Sequence, residues 1–99
     1  MILEIAQIEI KPGSTEDFEA GVSAAEPLFR AARGCRSFSL HRSIEHPARY
    51  RLIVGWDKVD DHMVGFRESP AFHEWRTLVA DCFAAPAQVE HVEKVVDGF

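Results

Sequence analysis

Residues Ser43 to Phe72 read S-I-E-H-P-A-R-Y-R-L-I-V-G-W-D-K-V-D-D-H-M-V-G-F-R-E-S-P-A-F, and this stretch decides the fold. His46-Pro47-Ala48 is a turn, because proline fixes its own φ and pushes the residue before it towards extended backbone. Arg49–Trp56 follows as a strand with Tyr50, Leu52, Val54 and Trp56 on one face and Ile53 on the other. Asp57 or Asp60 then starts a short helix over about residues 59–67. Val59, His62, Met63 and Phe66 fall at i, i+3, i+4 and i+7, which puts His62 on the inward stripe. Ser69 caps a second helix with Pro70 in its first position, where the missing N–H costs nothing. That helix runs to about Phe83 and places Phe72, Trp75, Arg76, Val79 and Phe83 on one face.

Working outward, residues 2–10 are β-branched and partly alternating, which predicts a first strand. Ile2, Ala6, Ile8 and Ile10 lie on one face, Leu3 and Ile5 on the other, so both faces are to be covered. Lys11-Pro12-Gly13 stops the strand. Ser14 then caps a helix that runs to about Ala32 and ends at Gly34, with Phe18, Val22, Ala25, Leu28 and Phe29 inward and Pro27 predicting a kink. Residues 35–45 form a second strand with Phe38, Leu40 and Ile44 on one face, paired as a hairpin with Arg49–Trp56. A last strand spans about residues 87–96. The order β-α-β-β-α-(α)-β predicts an α+β, ferredoxin-like domain with a four-stranded antiparallel sheet and helices on one face. The other face stays apolar through Leu3 and Ile5. Two such faces packed together predict a homodimer with an inner barrel.

The 99 residues are enough for one domain, and a chain this short buries only about two thirds of its unfolded surface. Yet 46% of the residues are apolar, seven Phe and two Trp among them, which predicts an aromatic cavity, an interface, or both. A net charge of −5 argues against nucleic-acid binding, which needs clustered Lys and Arg against phosphates. No apolar run approaches the roughly 20 residues that span a bilayer, and the N-terminus lacks a secretory pattern. The expectation is a cytoplasmic protein with no membrane partner. Cys35 and Cys82 are too few for a disulfide framework and are expected as reduced, buried thiols. The histidines are scattered, so no metal site is expected.

Two polar residues stand on otherwise apolar helix faces. His62 is either a structural histidine bonded to a carboxylate or carbonyl, or a general base with an ordinary pKa of about 6.5. Arg76 must pair, snorkel to solvent, or face a cavity, where it would anchor an anionic oxygen. Phe38, Tyr50, Trp56, Phe66, Phe72 and Trp75 are core residues that would also line a pocket for a flat aromatic ligand. His41 is expected to point away from Phe38 and Leu40, His46 and His73 into solvent; the pattern does not place His91.

These residues carry a resemblance. Lys11-Pro12-Gly13, Gly34, Pro47-x-x-Tyr50-x-Leu52-x-x-x-Trp56, Asp60-Asp61-His62, Phe66, Ser69-Pro70, Phe72 and Val89-x-His91 together resemble the antibiotic biosynthesis monooxygenase superfamily of dimeric α+β barrels. The resemblance implies a pocket between the helices and the sheet. Relatives include quinol and anthrone oxygenases that use O₂ without metal or flavin, haem-degrading proteins, and proteins that process small signalling molecules. The haem-degrading branch relies on an Asn, a Trp and a ligating His, and this chain carries Ala6 or Gln7, Phe66 and Arg76 at those places. Haem degradation is therefore set aside. Many quinol-oxygenase relatives carry a His near the position of Phe66, and His62 lies one turn earlier. The resemblance thus implies a cofactor-independent monooxygenase of a small aromatic, with His62 as base, Arg76 as anion stabiliser and the aromatic residues as walls. The alternative is a non-catalytic, ligand-binding or stress-related dimer on the same fold.

Overall fold

The structure is a computed structural model describing residues 1–99. Its strands β1 (Ile2–Glu9), β2 (Cys35–Arg42), β3 (Arg49–Trp56) and β4 (Gln88–Val92) form one antiparallel sheet in the order β2-β3-β1-β4. β1 is central, as its two apolar faces demand. Its register sets Glu4 beside Val54 on one side and beside His91 on the other. Helix α1 (Thr15–Arg30) lies across the same face and buries Phe18, Val22, Ala25 and Phe29 against Ala6, Ile8, Leu52 and Val54. Helix α2 (Pro70–Val79) adds Trp75 and Val79 to that core. The result is the ferredoxin-like α+β arrangement that the element order predicts.

Two glycines set the helix positions. A Cβ on Gly21 would stand 2.7 Å from the Leu78 carbonyl oxygen, so only glycine lets α1 approach α2 this closely. Gly34 has φ +80°, the left-handed region that turns the chain from α1 into β2, and a Cβ there would run into the Asp61 carboxylate.

Between β3 and α2 the chain winds as a π-helix over Asp61–Phe66, not as the expected α-helix. The Arg67 N–H donates to the His62 carbonyl, five residues back, at 2.9 Å. The wider turn points His62 and Phe66 inward together and leaves Val59 40% exposed, outside the predicted stripe. α2 also ends sooner than expected. After Val79 the chain tightens into a 3₁₀ turn over Ala80–Cys82, and Arg76 is exposed, not part of a buried face.

Several boundaries move. β2 stops at Arg42, and Ile44, in the turn beyond it, is 89% exposed. β4 has five residues, because its pairing with β1 covers only Leu3 to Gln7; Val95 and Val96 lie beyond it, exposed. Ser14 occupies the N-cap position of α1 but makes no side-chain cap, since its ψ of 6° is far from the extended value that capping needs. The outer sheet face is mixed, not uniformly apolar: Leu3, Ile5 and Ile53 are half-buried among Gln7, Arg51 and Glu90. His41 lies on that face, exposed, beside the Ser39 hydroxyl. No helix is long and apolar enough to cross a membrane.

Candidate active site

The inner face of β1 carries a carboxylate. Strand alternation places Glu4 with Ala6 and Ile8, beneath the helices, and only 5% of it is exposed. Its Oε1 accepts the Trp56 indole N–H at 3.0 Å and lies 3.4 Å from His62 Nε2. The other nitrogen of His62, Nδ1, is 2.8 Å from His91 Nε2. His62 is 6% exposed and stacks on Trp56, with ring centroids 5.4 Å apart and planes 19° from parallel. Each neighbour comes from a different element: Glu4 from β1, Trp56 from β3, His62 from the π-helix and His91 from β4.

Burial governs the protonation of this cluster. It pushes Glu4 from 4.5 up to about 7, against the opposing pull of the Trp56 hydrogen bond. It pulls His62 from 6.5 down to about 4, helped by His91 and by the Arg67 cation. Near neutral pH the Glu4–His62 contact therefore joins a neutral ring to a carboxyl at its midpoint, and is not a fixed ion pair. Glu4 Oε2 has no protein partner. The chain has no side-chain polar atom that is both sealed off and unbonded, so Oε2 keeps some accessible surface, and Glu4 is part of a cavity wall.

That cavity has a volume of about 300 Å³. Glu4 and His62 form part of its wall with Phe29, Phe66, Phe72 and Trp75. Phe29 organises the aromatic side, with centroids 4.6 Å from Phe66 and 5.3 Å from Trp75. Arg67 and Arg76 complete the wall, both exposed and neither in an ion pair. The Arg76 guanidinium lies 6.0 Å from the centre of the Phe72 ring. The size is at the low end for small-molecule sites.

Of the residues singled out by sequence, His62, Phe66, Phe72, Trp75 and Arg76 all line this cavity. Three do not. Trp56 is behind it, fully buried, holding His62 and Glu4. Phe38 packs on Phe29 at 4.6 Å and stops short of the cavity. Tyr50 is buried beside Phe18 and donates its hydroxyl to Glu19. Sequence reasoning missed Glu4, although its place between Ile2 and Ala6 was a usable signal: a carboxylate on an inward strand position must find partners. His91 became placeable only through the β1–β4 register. His62 turns opposite nitrogens to Glu4 and His91, so the three do not converge on a point, and no cluster of His, Cys, Asp or Glu is arranged to hold a metal ion. Cys35 is half-buried, Cys82 buried, and both are free thiols raised by burial.

The family model described as "Antibiotic biosynthesis monooxygenase" matches residues 1–78. The chain belongs to this family. It is 33% identical over 95 residues to "Uncharacterized protein YczJ" of Bacillus subtilis (strain 168), covering 96% of this chain and 100% of that one. A crystal structure from Bordetella bronchiseptica, described as "Putative antibiotic biosynthesis monooxygenase", is 59% identical with a TM-score of 0.95, over 96% of this chain and 97% of that one. One of the same description from Nitrosomonas europaea is 22% identical with a TM-score of 0.82, over 97% and 100%, and shares the fold. Family membership accounts for the matched order of elements from β1 through α2. Glu4 and the whole π-helix lie within the matched segment, and His91 lies beyond it.

Proposed function

We propose that this protein is a cofactor-independent monooxygenase that oxidises a small hydroxyaromatic, quinol- or anthrone-like, with O₂. The observation that carries the reading is the Glu4–His62 couple facing an aromatic cavity whose rim holds two unpaired arginines. Glu4 and His62 act together as the base that takes the phenolic or activated C–H proton, at a pH where the carboxyl is near its midpoint. Arg76, with Arg67, stabilises the resulting anion. The anion is itself the reductant of O₂. For a ring CH₂ the balance is R₂CH₂ + O₂ → R₂C=O + H₂O, one oxygen atom entering the product and one leaving as water. Phe66, Phe72 and Trp75 hold the ring flat and keep bulk water out. The protein works as a homodimer joined through the outer sheet face, where Leu3, Ile5 and Ile53 await cover.

The test is O₂ uptake in metal-free buffer with a panel of quinols and anthrones. Uptake is expected with at least one of them, falling about a hundredfold in Glu4→Gln or His62→Ala and about tenfold in Arg76→Ala. Binding of the panel without uptake would make the protein a ligand carrier instead.

A further inference from the structure

Both ring nitrogens of His62 face other members of the cluster. Nδ1 faces His91 Nε2 at 2.8 Å, and Nε2 faces Glu4 Oε1 at 3.4 Å. Glu4 is part of the cavity wall, and its Oε2 makes no hydrogen bond within the protein. Glu4, His62 and His91 therefore form a row from the cavity floor, through a buried ring, to a half-buried ring on β4. β4 is an edge strand, and His91 is not part of the cavity wall. Such a row has no use in holding a ligand. It has one in moving a proton.

We propose that Glu4 receives the ligand's proton directly and that His62 and His91 form a proton wire from the cavity floor to solvent at the β4 edge. The inference rests on the reading of the cavity as a deprotonating site and deepens it. In the protonated carboxyl, Oε2 accepts the ligand's hydroxyl proton while the Oε1 proton passes to His62 Nε2. The Nδ1 proton of His62 passes to His91 Nε2, and His91 releases its Nδ1 proton to water. Only bonds to hydrogen change. The ligand becomes its anion, one proton reaches bulk solvent, and each protein group ends neutral. A ring carries protons this way only if it is neutral beforehand, and burial keeps His62 so. The other titratable or charged groups facing the row are Cys35 from β2 and Arg67 from the end of the π-helix. Neither hydrogen-bonds to a member of it: the Cys35 thiol meets the Ser37 carbonyl and Arg67 meets Met63. Once a ligand fills the cavity, Glu4 has no water of its own to discharge to, so the wire is the exit.

Two measurements on the full chain test this without O₂. In protein carrying isotope-labelled histidine, ring-nitrogen spectra of His62 and His91 are expected to respond together at the Glu4 midpoint, and to lose that response in Glu4→Gln. Identical histidine titrations in wild type and Glu4→Gln overturn the proposal. In the second, para-nitrophenol is mixed anaerobically with the protein slightly below neutral pH, and formation of bound phenolate is followed by absorbance. His91→Ala is expected to slow it about a hundredfold, with imidazole in the buffer restoring the rate. Phenolate formation at the wild-type rate in His91→Ala overturns the wire, as does a slowing that imidazole does not restore or the absence of bound phenolate in wild type. The oxygenase reading fails in O₂ uptake alone; the wire fails in these signals alone.

Discussion

Replacing Glu4 with Gln should stabilise the protein in alkaline buffer, against the usual cost of altering a buried polar residue. Gln keeps a carbonyl oxygen for the Trp56 indole and removes the titration. Glu4 sits at 4.5 in the unfolded chain and at about 7 in the fold. Between those values the folded state holds more protons than the unfolded one, so stability falls as pH rises through the window. At 1.36 kcal/mol per pH unit the loss comes to about 3 kcal/mol above neutrality. His62 works in the opposite sense. It moves from 6.5 down to about 4 on folding, so the unfolded state holds more protons in that window and stability rises with pH. From 4.5 to 6.5 the two slopes oppose each other, and the wild-type contribution is nearly level. In Glu4→Gln only the His62 slope remains. The variant should match wild type at the acid end and exceed it by about 3 kcal/mol above neutrality. Urea unfolding followed by tryptophan fluorescence, at fixed protein concentration across this range, reads the difference directly. Stability curves that run parallel throughout would refute the assignment of a buried, neutral-titrating carboxyl to Glu4.

Trp56→Phe removes the indole donor that holds Glu4 down, so the Glu4 midpoint should move upward; carbon-13 titration of the carboxyl checks it, and an unmoved midpoint contradicts the hydrogen bond. Gly21→Ala forces a methyl against the Leu78 carbonyl and should cost about 1–3 kcal/mol in urea unfolding, whereas a change within about 0.5 kcal/mol would show that the helices separate freely. Ile5→Glu places a charge at the centre of the outer sheet face, opposite Ile53 and Glu90, and should convert dimer to monomer in sedimentation velocity; a monomeric wild type would remove the proposed dimer itself.

Strands and helices were legible because their signals are local. Alternation from Tyr50 to Trp56 and the 3.6-residue rhythm of Phe18, Val22, Ala25 and Phe29 each follow from neighbours along the chain, and all these residues are buried as expected. Half of the site was legible for the same reason, since His62 and Phe66 stand out on a short amphipathic segment. Glu4 and His91 were not, because their importance is a matter of pairing. Nothing near position 91 indicates that it will lie opposite Glu4; the β1–β4 register does. Arg76 was legible in the same local way as His62: a guanidinium on an otherwise apolar helical stripe has to pair, reach solvent or face a cavity, and it stands exposed at the cavity rim.

The π-turn at Asp61–Phe66 bears on how relatives are compared. Such a turn holds one residue more than the α-helical turn it replaces. A relative that winds this segment as an α-helix reaches the same space with one residue fewer, and every position after the difference rotates by about 100° around the axis. Matching columns of an alignment then face different directions in the two proteins. A single-residue deletion near Val64 would therefore reach arrangements that no point substitution can.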